Sequence, residues 1–205
     1  MEFTGFTQHD FDTFHVEGLE ERMEAIQQRI QPKFKALGEV LTHDLSAMVG
    51  SEMFLHIAKH ARRTVNPPKD TWLAIAGNKR GYKQHPHFQV GLFDDHLFIW
   101  LAFIYELPNK TSIAKNLLKN IKTIEKSIPS EFVVSLDHMK KESASVADTK
   151  LKQALIRFRD VKKAEFLIGR HIDSNDPILQ DGAQLTEFVK DTFETLVPIY
   201  RLAFS

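Results

Sequence analysis

Residues 96–106 read HLFIWLAFIYE, and the nine from Leu97 to Tyr105 form the longest apolar run in the chain. A segment apolar at nearly every position has no face to offer water. It is far short of the roughly 20 residues that span a bilayer. It therefore predicts a central strand covered on both faces. HFQVGLF at 87–93 precedes it across Asp94-Asp95, and the pair reads as a β-hairpin.

The remaining elements follow by periodicity. Trp72 to Ala76, Glu131 to Asp137 and Ala164 to Ile172 read as further strands. Leu19, Met23, Ile26, Ile30, Phe34 and Leu37 recur at spacings of three and four and predict a helix. Pro32 would kink or end that helix, and Gly38 would close it before a shorter helix to Val49. Gly50 and Ser51 read as a stop followed by an N-cap. Residues 52–63 fit either period, and the reading here favours helix. Further helices are expected from Asn109–Thr111 to Ile128, from Thr149 to Asp160, and from Ala183 with a bend at Pro198. Residues 138–149 read as an exposed loop. Phe3, Phe6, Phe11 and Phe14 imply that the N-terminal arm packs on the body. The expected fold is α+β: a mainly antiparallel sheet of about five strands flanked by helices, in one domain over residues 1–205.

Net charge is zero, but its distribution is uneven. Residues 1–55 hold ten acids and four bases, while residues 56–87 hold seven bases and one acid, Asp70. The basic segment, HIAKHARRTVNPPKDTWLAIAGNKRGYKQHPH, also holds four of the ten histidines: His56, His60, His85 and His87. Either the acidic stretch neutralises it internally, or it faces an anion. In the second reading Arg62, Arg63, Lys79, Arg80 and Lys83 bind the anion. Arginine supplies a planar fork that matches phosphate or carboxylate. Gly81 lets backbone approach the ligand, and Tyr82 and Trp72 offer rings for stacking. The expected partner is an anionic small molecule or single-stranded nucleic acid. Non-specific duplex binding fits poorly with zero net charge.

An alternative is an enzyme hydrolysing or transferring a phosphoester, with His60 or His87 as acid or base and Asp70, Glu106 or Asp137 as orienting carboxylate. A histidine metal site is disfavoured by the surrounding positive charge, so neither metal nor cofactor is expected. The lysine stripe Lys115, Lys119, Lys122 and Lys126 could meet an acidic protein, although such stripes are usually only solvated. The absence of cysteine removes disulfides, thiolate sites and a cysteine nucleophile. The opening MEFTGFTQHDFD lacks the basic and apolar regions of a secretory signal.

KHARRTVNPPKDTW followed by NKRGYKQHPHFQVGLF resembles the signature of the YktB-like family of bacterial proteins. EGLEERMEAIQQRIQPK and LVPIYRLA fit the same family, so the likeness covers nearly the whole chain. The resemblance implies a soluble, cytoplasmic, single-domain α+β protein with no membrane association, and brings no catalytic residues with it.

Overall fold

The computed structural model describes residues 2–205. Its centre is one sheet of seven strands in the order β1-β2-β3-β4-β7-β5-β6. These are β1 (Phe54–Ile57), β2 (Thr71–Ala76), β3 (His87–Leu92), β4 (His96–Phe103), β5 (Val133–Ser135), β6 (Ala144–Ser145) and β7 (Phe166–Asp173). Every neighbouring pair is antiparallel. The 96–106 run supplies β4, buried at every position, between β3 and β7.

The sheet has two strands beyond the expected five. The short β6 falls inside the expected loop 138–149. The other, β1, lies in 52–63, where a helix was favoured. Four residues are too few to show a period, and what decides them is the exposed edge of β2. There Phe54 to Ile57 pair with Ala76 to Leu73.

The helices are α1 (Gln8–Phe11), α2 (Leu19–Ala25), α3 (Gln31–Val49), α4 (Lys110–Lys119), α5 (Ile121–Ser127), α6 (Leu151–Asp160) and α7 (Gly182–Leu202). A π-helical turn, Ile26–Ile30, joins α2 to α3. It absorbs Pro32, which sits in the first turn of α3 where its missing N–H costs nothing. Helix α3 runs through Gly38 and stops at Gly50, which takes the left-handed conformation at φ 80°. Gly38 is thus a packing residue: a Cβ there would lie 2.5 Å from a methyl of Leu55 on β1. Asn120 splits the expected 109–128 helix into α4 and α5. Pro198 lies inside α7, which continues past it to Leu202.

One sheet face carries Leu73, Ile75, Phe88, Val90, Ile99, Leu101, Phe103, Phe166 and Ile168 into the main core under α3, α4, α6 and α7. The N-terminal arm joins this core through Phe6, Phe11 and Phe14, with Phe6 edge-on to Phe34. The opposite face carries a smaller cluster of Phe93, Phe98, Trp100, Ala102, Ile104 and Leu167. Its large rings lie flat because their cross-strand partners are glycines. Phe98 faces Gly91 and Trp100 faces Gly169. A Cβ at Gly91 would come 2.1 Å from the Phe98 ring.

Among the described residues, no helix covers this second face. Three loops do so, reached through residues 58–70, 77–86 and 136–143. His60 meets Trp72 edge-on, Tyr82 meets His87 edge-on, and Lys141 pairs with Asp94 and Asp95 while its ammonium lies over Phe93. Among the described residues, no helix is long and apolar enough to cross a membrane.

Candidate functional site

Alternation along a strand sends Trp72, Ala74, His87 and Gln89 to the loop-covered face, together with Asp70 just before β2. This face is therefore where the basic segment meets the rest of the molecule.

A cleft of ≈ 720 Å³ opens at the β1 edge of this face. Lys59, Arg80 and Lys83 line it, with His56, His85, Tyr82, Gly81 and a single acid, Glu106. The 77–86 loop is shaped locally. Asn78 accepts the Arg80 backbone N–H on Oδ1 at 2.8 Å, an Asx turn, and its carbonyl accepts from His56 Nε2 at 2.8 Å. Lys83 reaches Glu106 at 3.3 Å, with both side chains partly exposed, so the pair is weak and exchangeable.

The other expected site residues lie elsewhere. Arg62 and Lys79 are exposed away from the cleft. Arg63 donates to the Asn66 carbonyl at 3.3 Å, and its charge acts on His60 and Asp70. Trp72 lies beneath the loop and donates its indole N–H to the Tyr82 hydroxyl at 3.0 Å. Of the twelve candidate side chains, five, Arg80, Lys83, Tyr82, Trp72 and Glu106, thus meet at or directly under this cleft.

Behind Tyr82 runs a buried polar row. His87 is fully buried. Its Nδ1–H donates to the His85 carbonyl at 2.8 Å, and its Nε2 accepts from Gln89 at 2.9 Å. Burial pushes its pKa down to about 4, against the opposing pull of the His85 carbonyl. His60 sits 3.1 Å from the Thr71 hydroxyl, and burial followed by the Arg63 charge lowers it to about 4. Both candidate histidines are therefore neutral at pH 7. Either ring nitrogen of His87 must break a hydrogen bond before it can move a proton. Asp70 is 2% exposed, and its Oδ2 has no partner among the described residues. Burial raises it to about 6, with the charges of Arg63 and His138 opposing.

A second cleft, of ≈ 650 Å³, opens on the far side of the β4 end, beside Tyr105. Its centre is a pair that the sequence reading passed over, His138 and Glu165. Glu165 is 3% exposed at the head of β7. It accepts the His138 backbone N–H at 2.8 Å, His138 Nδ1–H at 2.7 Å, and the Tyr105 N–H at 3.4 Å. Burial alone would lower the His138 pKa, but the hydrogen bond and charge of Glu165, with Asp70 and Asp137 adding, hold it above the usual value. The one available signal was Glu165 itself, a lone acid opening the apolar run EFLIG.

Asp137, His138 and Glu165 also bring three donor atoms within 4.8 Å of one another. Two ligands on one tetrahedral zinc at about 2.0–2.1 Å each stand about 3.3 Å apart. The 2.7 Å between Nδ1 and Oε2 is instead a charge-assisted hydrogen bond.

The molecule is thus an α+β protein on one antiparallel sheet, helices over one face and three loops over the other, with both clefts at the loop-covered end. Residues 6–200 match the family described as a domain of unknown function, DUF1054. The chain belongs to this family, as the YktB-like resemblance implied. It is 63% identical over 199 residues to a UPF0637 protein of Oceanobacillus iheyensis, covering 97% of this chain and 96% of that one. It is 60% identical over 205 residues to one of Shouchella clausii, covering 100% and 97%. A Listeria welshimeri relative is 52% identical over 203 residues, covering 99% of each.

Proposed function

We propose that the protein binds an anionic, phosphate-bearing small ligand in the cleft lined by Lys59, Arg80 and Lys83. The observation that carries this reading is the fate of the basic segment's charge. Among the described residues, none of its seven lysines and arginines pairs with an acid of residues 1–55. Two of those acids are occupied elsewhere, Asp10 by Lys33 at 2.6 Å and Asp44 by Lys190 at 3.2 Å. The cleft cations therefore face solvent with only Glu106 to balance them, an arrangement that favours an incoming anion.

Arg80 supplies the planar fork for two phosphate oxygens, and Lys59 and Lys83 supply point charges. His56 donates its Nε2–H to Asn78, which fixes the loop's approach. Tyr82 forms a wall against which a ring could lie. A concave cleft suits a small ligand better than a long strand. Arg62, Lys69 and Lys79, exposed outside it, are what a single-stranded nucleic acid would use instead.

The test is a thermal-shift and calorimetric series with inorganic phosphate, nucleotides and short RNA. A ligand at a hundredfold excess over its Kd stabilises by about 2.7 kcal/mol. Arg80→Ala is expected to abolish a phosphate or nucleotide shift, and Arg62→Ala to leave it intact. Equal loss in both variants, with RNA giving the largest shift, would favour nucleic acid. No shift with any ligand would reject the reading.

A further inference from the structure

The His138–Glu165 pair lies outside the basic cleft and is independent of it. Glu165 takes both N–H groups of His138, backbone and Nδ1, so ring orientation and tautomer are fixed together. The proton stays on Nδ1 and the lone pair on Nε2. Among the described residues Nε2 has no hydrogen-bond partner, yet it is not one of the buried unpaired atoms. It therefore reaches the cleft surface. A buried carboxylate holding Nδ1–H while Nε2 stays unpaired and accessible from the cleft is the arrangement that makes imidazole a general base.

The cleft wall indicates the substrate's charge. Arg157 and Lys163 line it, and neither makes an ion pair among the described residues. Lys140 lines it too, 3.9 Å from Asp137; of the three acids in the lining, Asp137 thus faces Lys140, Glu165 holds His138, and Glu142 makes no ion pair among the described residues, which leaves Arg157 and Lys163 as its uncompensated cations. The cleft serine, Ser143, has its hydroxyl beside His171 at 3.5 Å rather than beside His138. Water, not serine, is then the nucleophile His138 can reach.

We propose that this cleft is a hydrolytic site for a phosphate ester, with His138 as general base, Glu165 as its positioning residue, and Arg157 and Lys163 as the phosphate clamp. His138 Nε2 takes a proton from water as the water oxygen bonds to phosphorus. The P–O ester bond breaks and its electron pair leaves on the alcohol oxygen. The imidazolium then returns that proton to the alcohol, which regenerates the neutral base. No oxidant or further reactant is needed. The charge that Glu165 and the buried Asp70 place near His138 stabilises the imidazolium between the two steps.

The experiment measures nitrophenolate release from bis(p-nitrophenyl) phosphate and p-nitrophenyl phosphate by the full chain across pH. His138→Gln is expected to lose about 100-fold or more. Glu165→Gln should lower kcat with little change in KM and move the acid limb of the pH profile to lower pH, which a purely structural role would not do. Arg157→Gln should raise KM and leave the acid limb in place. Should His138→Gln fail to fold, diethyl pyrocarbonate replaces it: inactivation should track carbethoxylation of His138, and inorganic phosphate should protect. Turnover of neither ester above the His138→Gln background overturns the proposal. So does an unmoved acid limb in Glu165→Gln, or inactivation that tracks a different histidine. Because the basic cleft takes no part, loss of phosphate binding in Arg80→Ala leaves this result unaffected.

Discussion

Replacing Asp70 by asparagine should stabilise the protein, and should do so only above pH 5. Asp70 is 2% exposed with an unpartnered Oδ2, and its pKa rises from 3.8 to about 6 because burial penalises the carboxylate. Below pH 4 the group is protonated both folded and unfolded and contributes nothing. Between pH 4 and 6 the unfolded chain releases a proton that the folded chain keeps, so stability falls as pH rises. Above pH 6 the loss is complete. About two pKa units at 1.36 kcal/mol each make it about 3 kcal/mol. Asparagine removes that penalty but brings an amide N–H₂ whose burial costs about 1 kcal/mol. The net gain is about 2 kcal/mol at pH 8, or roughly 4–8 °C in Tm for a domain of this size. At pH 4 the variant should gain nothing. Differential scanning calorimetry of both proteins at pH 4, 6 and 8 decides the matter. A lower Tm for Asp70→Asn at pH 8 would refute the reasoning, because it would mean that Arg63 already compensates the carboxylate. An equal gain at every pH would refute it too, because the gain would then owe nothing to charge.

Two further predictions concern stability. His87, fully buried and lowered to about 4, is neutral in the fold but protonates near 6.5 when unfolded. Its contribution is complete above pH 6.5 and is lost as pH falls toward 4, about 2 kcal/mol by pH 5. His60, at about 4, and His171, at about 3, act in the same direction, while Asp70 opposes them. The Tm should therefore drop between pH 7 and 5, less steeply in His87→Gln; a parallel decline in both proteins would exclude His87 as a source. Lys110, 8% exposed, donates from Nζ to the carbonyls of Val161, Lys162 and Ala164 at 2.6, 3.0 and 2.9 Å. Lys110→Met leaves three acceptors at the end of α6 without a donor and should cost about 3 kcal/mol in urea unfolding. A cost under about 1 kcal/mol would mean that water replaces the ammonium there.

The helix and strand readings held where a segment was long enough to show its period. The hairpin 87–106 and the helices α4 to α7 were legible because many residues repeat one pattern. The reading failed at Phe54–Ile57 and Ala144–Ser145, where two to four residues take their conformation from a neighbouring strand's free edge. Gly38 was misread for a related reason. Its meaning depends on Leu55, 17 positions away, not on its own helix. In the basic segment, Arg80, Lys83 and Tyr82 share a cleft because they lie on one loop, whereas Arg62, Arg63 and Lys79 point elsewhere.

The sequence by itself determined that β4 must be central, that the sheet is antraparallel-rich with helices beside it, and that charge is concentrated in 56–87. Each of these follows from local composition and periodicity, which solvent reads directly. Only the tertiary structure decided the environment of each histidine. His60 and His87 stood out in a basic run, yet burial lowers the pKa of both to about 4 and leaves them neutral at pH 7. His138 stood in an unremarkable polar loop, and its bond to Glu165, 27 residues on, gives it a fixed tautomer and an open nitrogen. Proton affinity depends on burial and on the nearest charge, and both are set by contacts between segments that the order of residues does not display.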